Sequence, residues 1–158
     1  MTDPAVTEQP PLTNFSCTPD PENPGWLRWQ ILDQARFNEA VMAKQLVRAE
    51  GPNTARFRIQ PQVPLHTNSA GNVHGAITLA LIDISLFGAL YVLAGLDAGR
   101  SVTLDLQNQF IGAGDPSRPL DSVVELLRET RRLAFLRGLV VQDDDMVASF
   151  TAAIRKPS

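Results

Sequence analysis

Residues 75–95 read GAITLALIDISLFGALYVLAG, an apolar run in which Asp83 is the only charged side chain. A run this long ends up either in a bilayer or in a protein core. About twenty apolar residues suffice to cross hydrocarbon, but an acid at the centre of such a span costs about 2.5–3.5 kcal/mol. No Lys or Arg cluster flanks the run to orient an inserted helix. A helix apolar on every side is therefore expected at the centre of a folded protein, with no membrane role. There an ionised carboxylate must be paired, hydrogen-bonded or used in chemistry. Apart from Asp83, no Asp, Glu, Lys or Arg lies between Arg58 and Asp97, so the sequence neighbourhood offers it no ionic partner.

The chain of 158 residues is long enough for one domain with a sizeable core. Its net charge of −3 is concentrated at one end. Residues 1–25 hold Asp3, Glu8, Asp20 and Glu22 and no Lys or Arg, which leaves the body close to neutral. That balance gives no general affinity for nucleic acid or anionic membranes. Cys17 is the single cysteine, so an internal disulfide is excluded and a reducing compartment is implied. The start lacks the basic and apolar pattern of a secretory signal, and a cytoplasmic location is expected.

Six of the twelve prolines fall within residues 1–25, which reads as a mobile, Pro-rich tail. Residues 26–37 place Trp26, Trp29, Ile31, Leu32, Ala35 and Phe37 near helical spacing and read as a short amphipathic helix. Two strands are expected over residues 42–50 and 55–60, joined by the turn-forming Gly51-Pro52-Asn53. Pro61 and Pro64 end the second of them. Beyond the apolar helix, residues 101–111, 120–129, 132–142 and 146–155 read as four strands with short links. Helix, two strands, long helix and four strands make an α+β chain whose antiparallel sheet wraps around a long central apolar helix, the main domain covering residues 38–158.

Chemistry concentrates around that helix. Gly75 opens it, so its N–H is one of the first-turn donors with no intrahelical partner. At the positive end of the helix dipole, such a group can stabilise an oxyanion forming on a carbonyl. Asp83 can remove a proton from water or attack directly. Asn68 can donate to a substrate or hold a water, and Thr103 offers a small hydroxyl. Gly75 and Asp83, eight residues apart, are separated by about 12 Å along one helix. A nucleophile and an oxyanion donor must each lie about 3 Å from the reacting centre. Both can serve one carbonyl only if Gly75 comes from one subunit and Asp83 from another, and a two-fold dimer makes two such shared sites.

The pattern Asn68-x5-His74-Gly75-x7-Asp83, followed by Thr103-Leu104-Asp105-Leu106, resembles the hotdog-fold thioesterases of the PaaI and acyl-CoA thioesterase 13-like group. The resemblance covers roughly residues 38–156. It implies hydrolysis of an acyl-CoA or aryl-CoA thioester with no metal or cofactor, by a homodimer with shared active sites that pairs into a homotetramer. By position, Asp83 matches the catalytic acid, Gly75 the oxyanion donor, and His74 the residue that helps polarise or position the thioester. Asn68 matches the residue that orients the nucleophile, and Thr103 the auxiliary hydroxyl. Ala76 stands where the family has a second glycine, so a tighter approach of substrate to the helix start is expected.

Other signals weigh less. His66 and His74 lack a third ligand, which argues against zinc. Asp143-Asp144-Asp145 lies between two strands and reads as a solvated turn. Arg131 and Arg132, with Arg128 and Arg137, are candidates for holding coenzyme A phosphates, since guanidinium suits phosphate geometry; outward-facing sheet residues are the plain alternative. Trp26 and Trp29 are expected to pack the short helix onto the sheet, with a contribution to the acyl pocket as the alternative. Two rival functions fit the same fold: an acyl-thioester hydratase or dehydratase using His74 and Asp83, and a non-catalytic acyl-CoA binding module.

Overall fold

The computed structural model describes residues 14–96 and 98–157. The long helix α2 (Gly75–Ala94) lies on the inner face of an eight-stranded sheet. The strands are β1 (Phe15–Pro19), β2 (Leu27–Ile31), β3 (Gln45–Ala49), β4 (Thr54–Ile59), β5 (Val102–Phe110), β6 (Leu120–Glu129), β7 (Leu133–Gln142) and β8 (Asp145–Arg155). They run in the order β1-β2-β3-β4-β6-β7-β8-β5, with every pairing antiparallel. One turn of helix, α1 (Phe37–Ala40), links β2 to β3. This is the hotdog arrangement that the resemblance implies, and strands β3 to β8 fall where alternation and turn residues place them.

α2 is long and apolar enough to cross a membrane by length and composition, yet the sheet takes up its apolar surface. Ile77, Leu81, Ile82, Leu86, Ala89 and Leu90 are buried against Phe57, Ile59, Leu136, Val140 and Ile154. Helix and sheet meet closely at Gly88, where a Cβ would lie 2.6 Å from the Phe57 ring. The helix stops at Gly95, whose φ of 64° is a left-handed conformation that glycine adopts without steric cost.

The N-terminal segment corrects two expectations. Residues 27–31 form a strand, not part of an amphipathic helix over 26–37. Trp29 pairs with Cys17 on one side and Gln45 on the other, so the segment extends the sheet beyond β3. The tail reading of residues 1–25 also fails where it can be compared: Phe15 and Cys17 pack on the core and Asp20 is buried. Residues 1–13 lie outside the described residues.

Asp20 holds the β1–β2 turn together. Its Oδ1 accepts from the Glu22 N–H and from Asn23 Nδ2, and Lys44 Nζ sits 2.8 Å from Oδ2. The hydrogen bond from Lys44, then that from Asn23, draw the carboxyl down from 3.8 to about 2. A carboxyl lowered by folding stabilises the fold fully above its unfolded value and loses that contribution as pH falls toward the folded one. The hairpin is therefore expected to hold at pH values above 3.8 and to loosen as pH falls from 3.8 to about 2. Tryptophan fluorescence during acid titration reports this through Trp26 and Trp29, and Asp20→Asn should abolish the step.

Candidate active site

The loop ahead of α2 is tied down by side chains. His66 is fully buried. Its Nε2–H donates to the Val41 carbonyl at 2.5 Å, and its Nδ1 accepts from the Gln62 N–H at 3.0 Å. That pair of bonds makes His66 a structural anchor. Asn68 Oδ1 accepts from the N–H groups of Ala70 and Asn72 at 3.0 and 3.1 Å. The carboxamide oxygen thus shapes the loop, a use the sequence reading did not foresee. The His74 N–H donates to His66 O and the Val73 N–H to Gly114 O, both at 2.8 Å, fixing the point where the helix begins.

At that point His74 is the N-cap, its Nδ1 accepting from the Ala76 N–H at 3.0 Å. Ile77 and Thr78 both donate to the His74 carbonyl. The first-turn amide left without an acceptor among the described residues is that of Gly75. No acidic side chain lies in the first turn to offset the helix dipole. The Phe110 ring stands over this glycine, 3.3 Å from where a Cβ would sit.

Asp83 lies two turns further on and is half-buried. Thr103, from β5, donates through Oγ1 to Asp83 Oδ1 at 2.7 Å. The candidate residues therefore form two groups within the chain: Asn68, His74 and Gly75 at the helix start, and Asp83 with Thr103 at mid-helix. Beside Asp83 opens a cavity of about 210 Å³ walled by Phe15, Trp29, Ile31, Ile84 and Phe87. Among the described residues Asp83 is the only charged one lining it. A larger concavity of about 810 Å³ lies across the sheet, lined by Gln107, Gln109, Arg137 and Leu139. Of the candidate groups only Arg137 lines that outer face, whereas Asp83 lines the smaller cavity.

Arg131 and Arg132 are exposed in the β6–β7 turn, with no side-chain ion pair among the described residues. Thr130 Oγ1 closes the turn by accepting from the Leu133 N–H and donating to the Leu133 carbonyl. The pairing of Arg155 with both Val102 and Leu133 brings the turn to the Thr103 end of β5. Arg100 and Arg155, exposed at the same end, join this cationic rim. Sequence reasoning missed both, because only strand register gathers them. Arg137 instead pairs with Glu125 on the outer face. The Asp143–Asp145 turn is solvated, with Arg118 bonded to Asp143 and Asp145. Burial pushes the Cys17 thiol up to about 11, so it stays protonated and unreactive near neutrality.

Comparison with known proteins agrees with this fold. The family model for the acyl-CoA thioesterase N-terminal domain matches residues 63–155, more than half of the chain. No curated protein sequence gives a match. Among solved structures, thioesterase superfamily member 2 from zebra fish superposes with a TM-score of 0.67 at 20% identity, covering 79% of this chain and 89% of that one. The mouse protein of the same name gives 0.63 at 18% identity, over 77% and 90%. The N33D mutant of the phenylacetic acid degradation protein PaaI from Thermus thermophilus gives 0.63 at 22% identity, over 77% and 98%. The matched segment runs through both groups of candidate residues, and the chain belongs to the acyl-CoA thioesterase family, with its hotdog fold.

Proposed function

We propose that the chain hydrolyses an acyl-CoA thioester in a site shared by two subunits, with Gly75 of one polarising the carbonyl and Asp83 of the other driving the attack. The observation that carries this reading is the unclaimed Gly75 N–H at a helix start with no neighbouring acid. In the general-base form, Asp83 takes a proton from water as the water oxygen bonds to the carbonyl carbon. The C–S bond then breaks, and the thiolate leaves and takes up that proton, giving free acid and coenzyme A. Attack by the Asp83 carboxylate itself gives the same products through an anhydride that water opens. The hydrogen bond from Thr103 aims the carboxylate in either case.

β5 supports a shared site. It is the last strand of the sheet, and its outer edge has no partner among the described residues. Val102, Leu104, Phe110 and Ile111 are exposed along it, and Leu79, one turn before Asp83, is also exposed. Nine residues of unpaired, partly apolar edge invite a second strand. Gly75 sits against Phe110 at one end of β5, and Asp83 against Thr103 at the other. Antiparallel pairing of two β5 strands that sets Thr103 opposite Phe110 of the partner subunit carries each Asp83 toward the partner's Gly75. A pairing of such dimers into a homotetramer is part of the same proposal.

The cationic rim of Arg100, Arg131, Arg132 and Arg155 suits the phosphates of coenzyme A, while the acyl group takes the apolar cavity. His74 fits a supporting role better than the acid–base role a hydratase needs, since its Nδ1 is engaged in the cap. The purified protein is expected to release free thiol from acyl-CoA substrates. A change in enoyl absorbance without thiol release would overturn hydrolysis in favour of hydration. Tight binding of acyl-CoA without turnover would leave only a binding module.

A further inference from the structure

The cavity beside Asp83 takes most of its lining from two unlike parts of the chain, with Asn38 and the 98–101 segment completing it. α2 supplies Asp83, Ile84 and Phe87, and the β1–β2 hairpin supplies Phe15, Trp29 and Ile31. The hairpin lies wholly ahead of the segment matched by the family model, which starts at residue 63. It is attached to the sheet by pairing with β3 and at its turn by the Asp20–Lys44 pair. Its aromatic face is stiff. Phe15 stacks on Trp29 with ring centroids 4.8 Å apart, and both meet Tyr91 edge-on at 5.4 and 5.7 Å. Trp29 is 3% exposed, so this wall is locked on its far side by the core.

From this geometry we infer that the β1–β2 hairpin is the wall that limits the acyl group, with Trp29 and Ile31 as its gauge. The inference rests on the hydrolysis reading above. An apolar cavity of about 150 Å³ holds a benzene ring, so one of about 210 Å³ takes a single ring or a short chain. The class selected is therefore a compact acyl group, one ring or about six carbons in size, its carbonyl beside Asp83. A twelve-carbon chain exceeds a volume of about 210 Å³, and on this inference the Phe15–Trp29 stack is what excludes it. Among the described residues the wall contains no cation, so the phosphorylated end of the thioester is assigned outside it. Trp29 Nε1–H, buried without a hydrogen-bond partner among the described residues, is a donor that belongs to this same wall.

The test is the ratio of kcat/KM for hexanoyl-CoA to that for dodecanoyl-CoA, read by thiol release from the full chain and two variants. The native chain is expected to favour hexanoyl-CoA by at least tenfold. Trp29→Leu, which enlarges the cavity, should lower that ratio at least tenfold. Ile31→Phe, which narrows it, should move selection the other way, lowering the ratio of hexanoyl-CoA to acetyl-CoA at least tenfold. Loss of stability alone would lower all rates together, so opposite size shifts from two apolar substitutions identify a wall. Equal turnover of hexanoyl-CoA and dodecanoyl-CoA by the native chain overturns the inference while leaving hydrolysis standing. So do variants that shift neither ratio. No thiol from any acyl-CoA with the native chain refutes hydrolysis itself, and the wall with it.

Discussion

Asp83→Asn is expected to lower kcat for thiol release by about 10²–10⁴-fold, the range that a positioned acid–base group supplies. That loss equals about 3–5 kcal/mol of transition-state stabilisation. Asparagine keeps the size of the side chain, and its carboxamide oxygen can still accept the hydrogen bond that Thr103 Oγ1 gives to Asp83. What it loses is the capacity to take a proton or to form an acyl bond, so the effect should fall on kcat with little change in melting temperature. Thiol-release kinetics paired with thermal unfolding of both proteins separate chemistry from folding. Undiminished turnover by a folded Asp83→Asn protein would remove Asp83 from the reaction.

The second large effect concerns a backbone atom. Gly75→Pro deletes the one first-turn N–H that the helix leaves unclaimed, at the helix position where proline is most readily accepted. His74, with ψ of 135°, already has the backbone that a following proline requires. The nearest atoms an added Cβ would meet are those of the Phe110 ring, whose side chain is exposed. Loss of an oxyanion donor should reduce kcat by about 10²–10³-fold. Mixing this variant with Asp83→Asn then tests where the two groups meet. After subunit exchange half of the dimers are mixed, and each holds one site with both groups intact, so activity should return to about a quarter of the native level. Absence of recovery once exchange is verified would place Gly75 and Asp83 in separate reactions or in one subunit.

The parts of this fold that the sequence displayed are those whose signals are local. The apolar helix announces itself by length, and β3 to β8 by alternation between turn residues. Residues 26–37 did not, because Trp26, Trp29 and Ile31 satisfy both a helical and an extended spacing. What decides between them is the exposed edge of β3, sixteen residues downstream of Trp29 at Gln45. In the same way Pro19, Pro21 and Pro24 suggested a loose tail, whereas they end β1 and shape the turn that follows it. Asp83, Gly75 and Thr103 could be picked out from spacing and residue type. The engagement of Asn68 within its own loop could not, since it depends on hydrogen bonds to Ala70 and Asn72. Trp29 is an alternative candidate for the acyl pocket, but Phe15 gives no such sign, because it lies more than sixty residues ahead of the acid.

The hairpin has one further consequence, for how many copies can add to the sheet. An open antiparallel sheet with two equivalent edges can grow without limit as chains add at both sides. Here β1 and β2 cover the β3 edge, and the strand that replaces it is only five residues long and ends in proline. The nine-residue β5 stands alone as a docking strand of useful length. A chain with one long edge and one blunted edge can use the long one only once. On the proposed pairing through β5, edge-to-edge growth is expected to terminate at a pair, and removal of the N-terminal strands should open a second edge to addition.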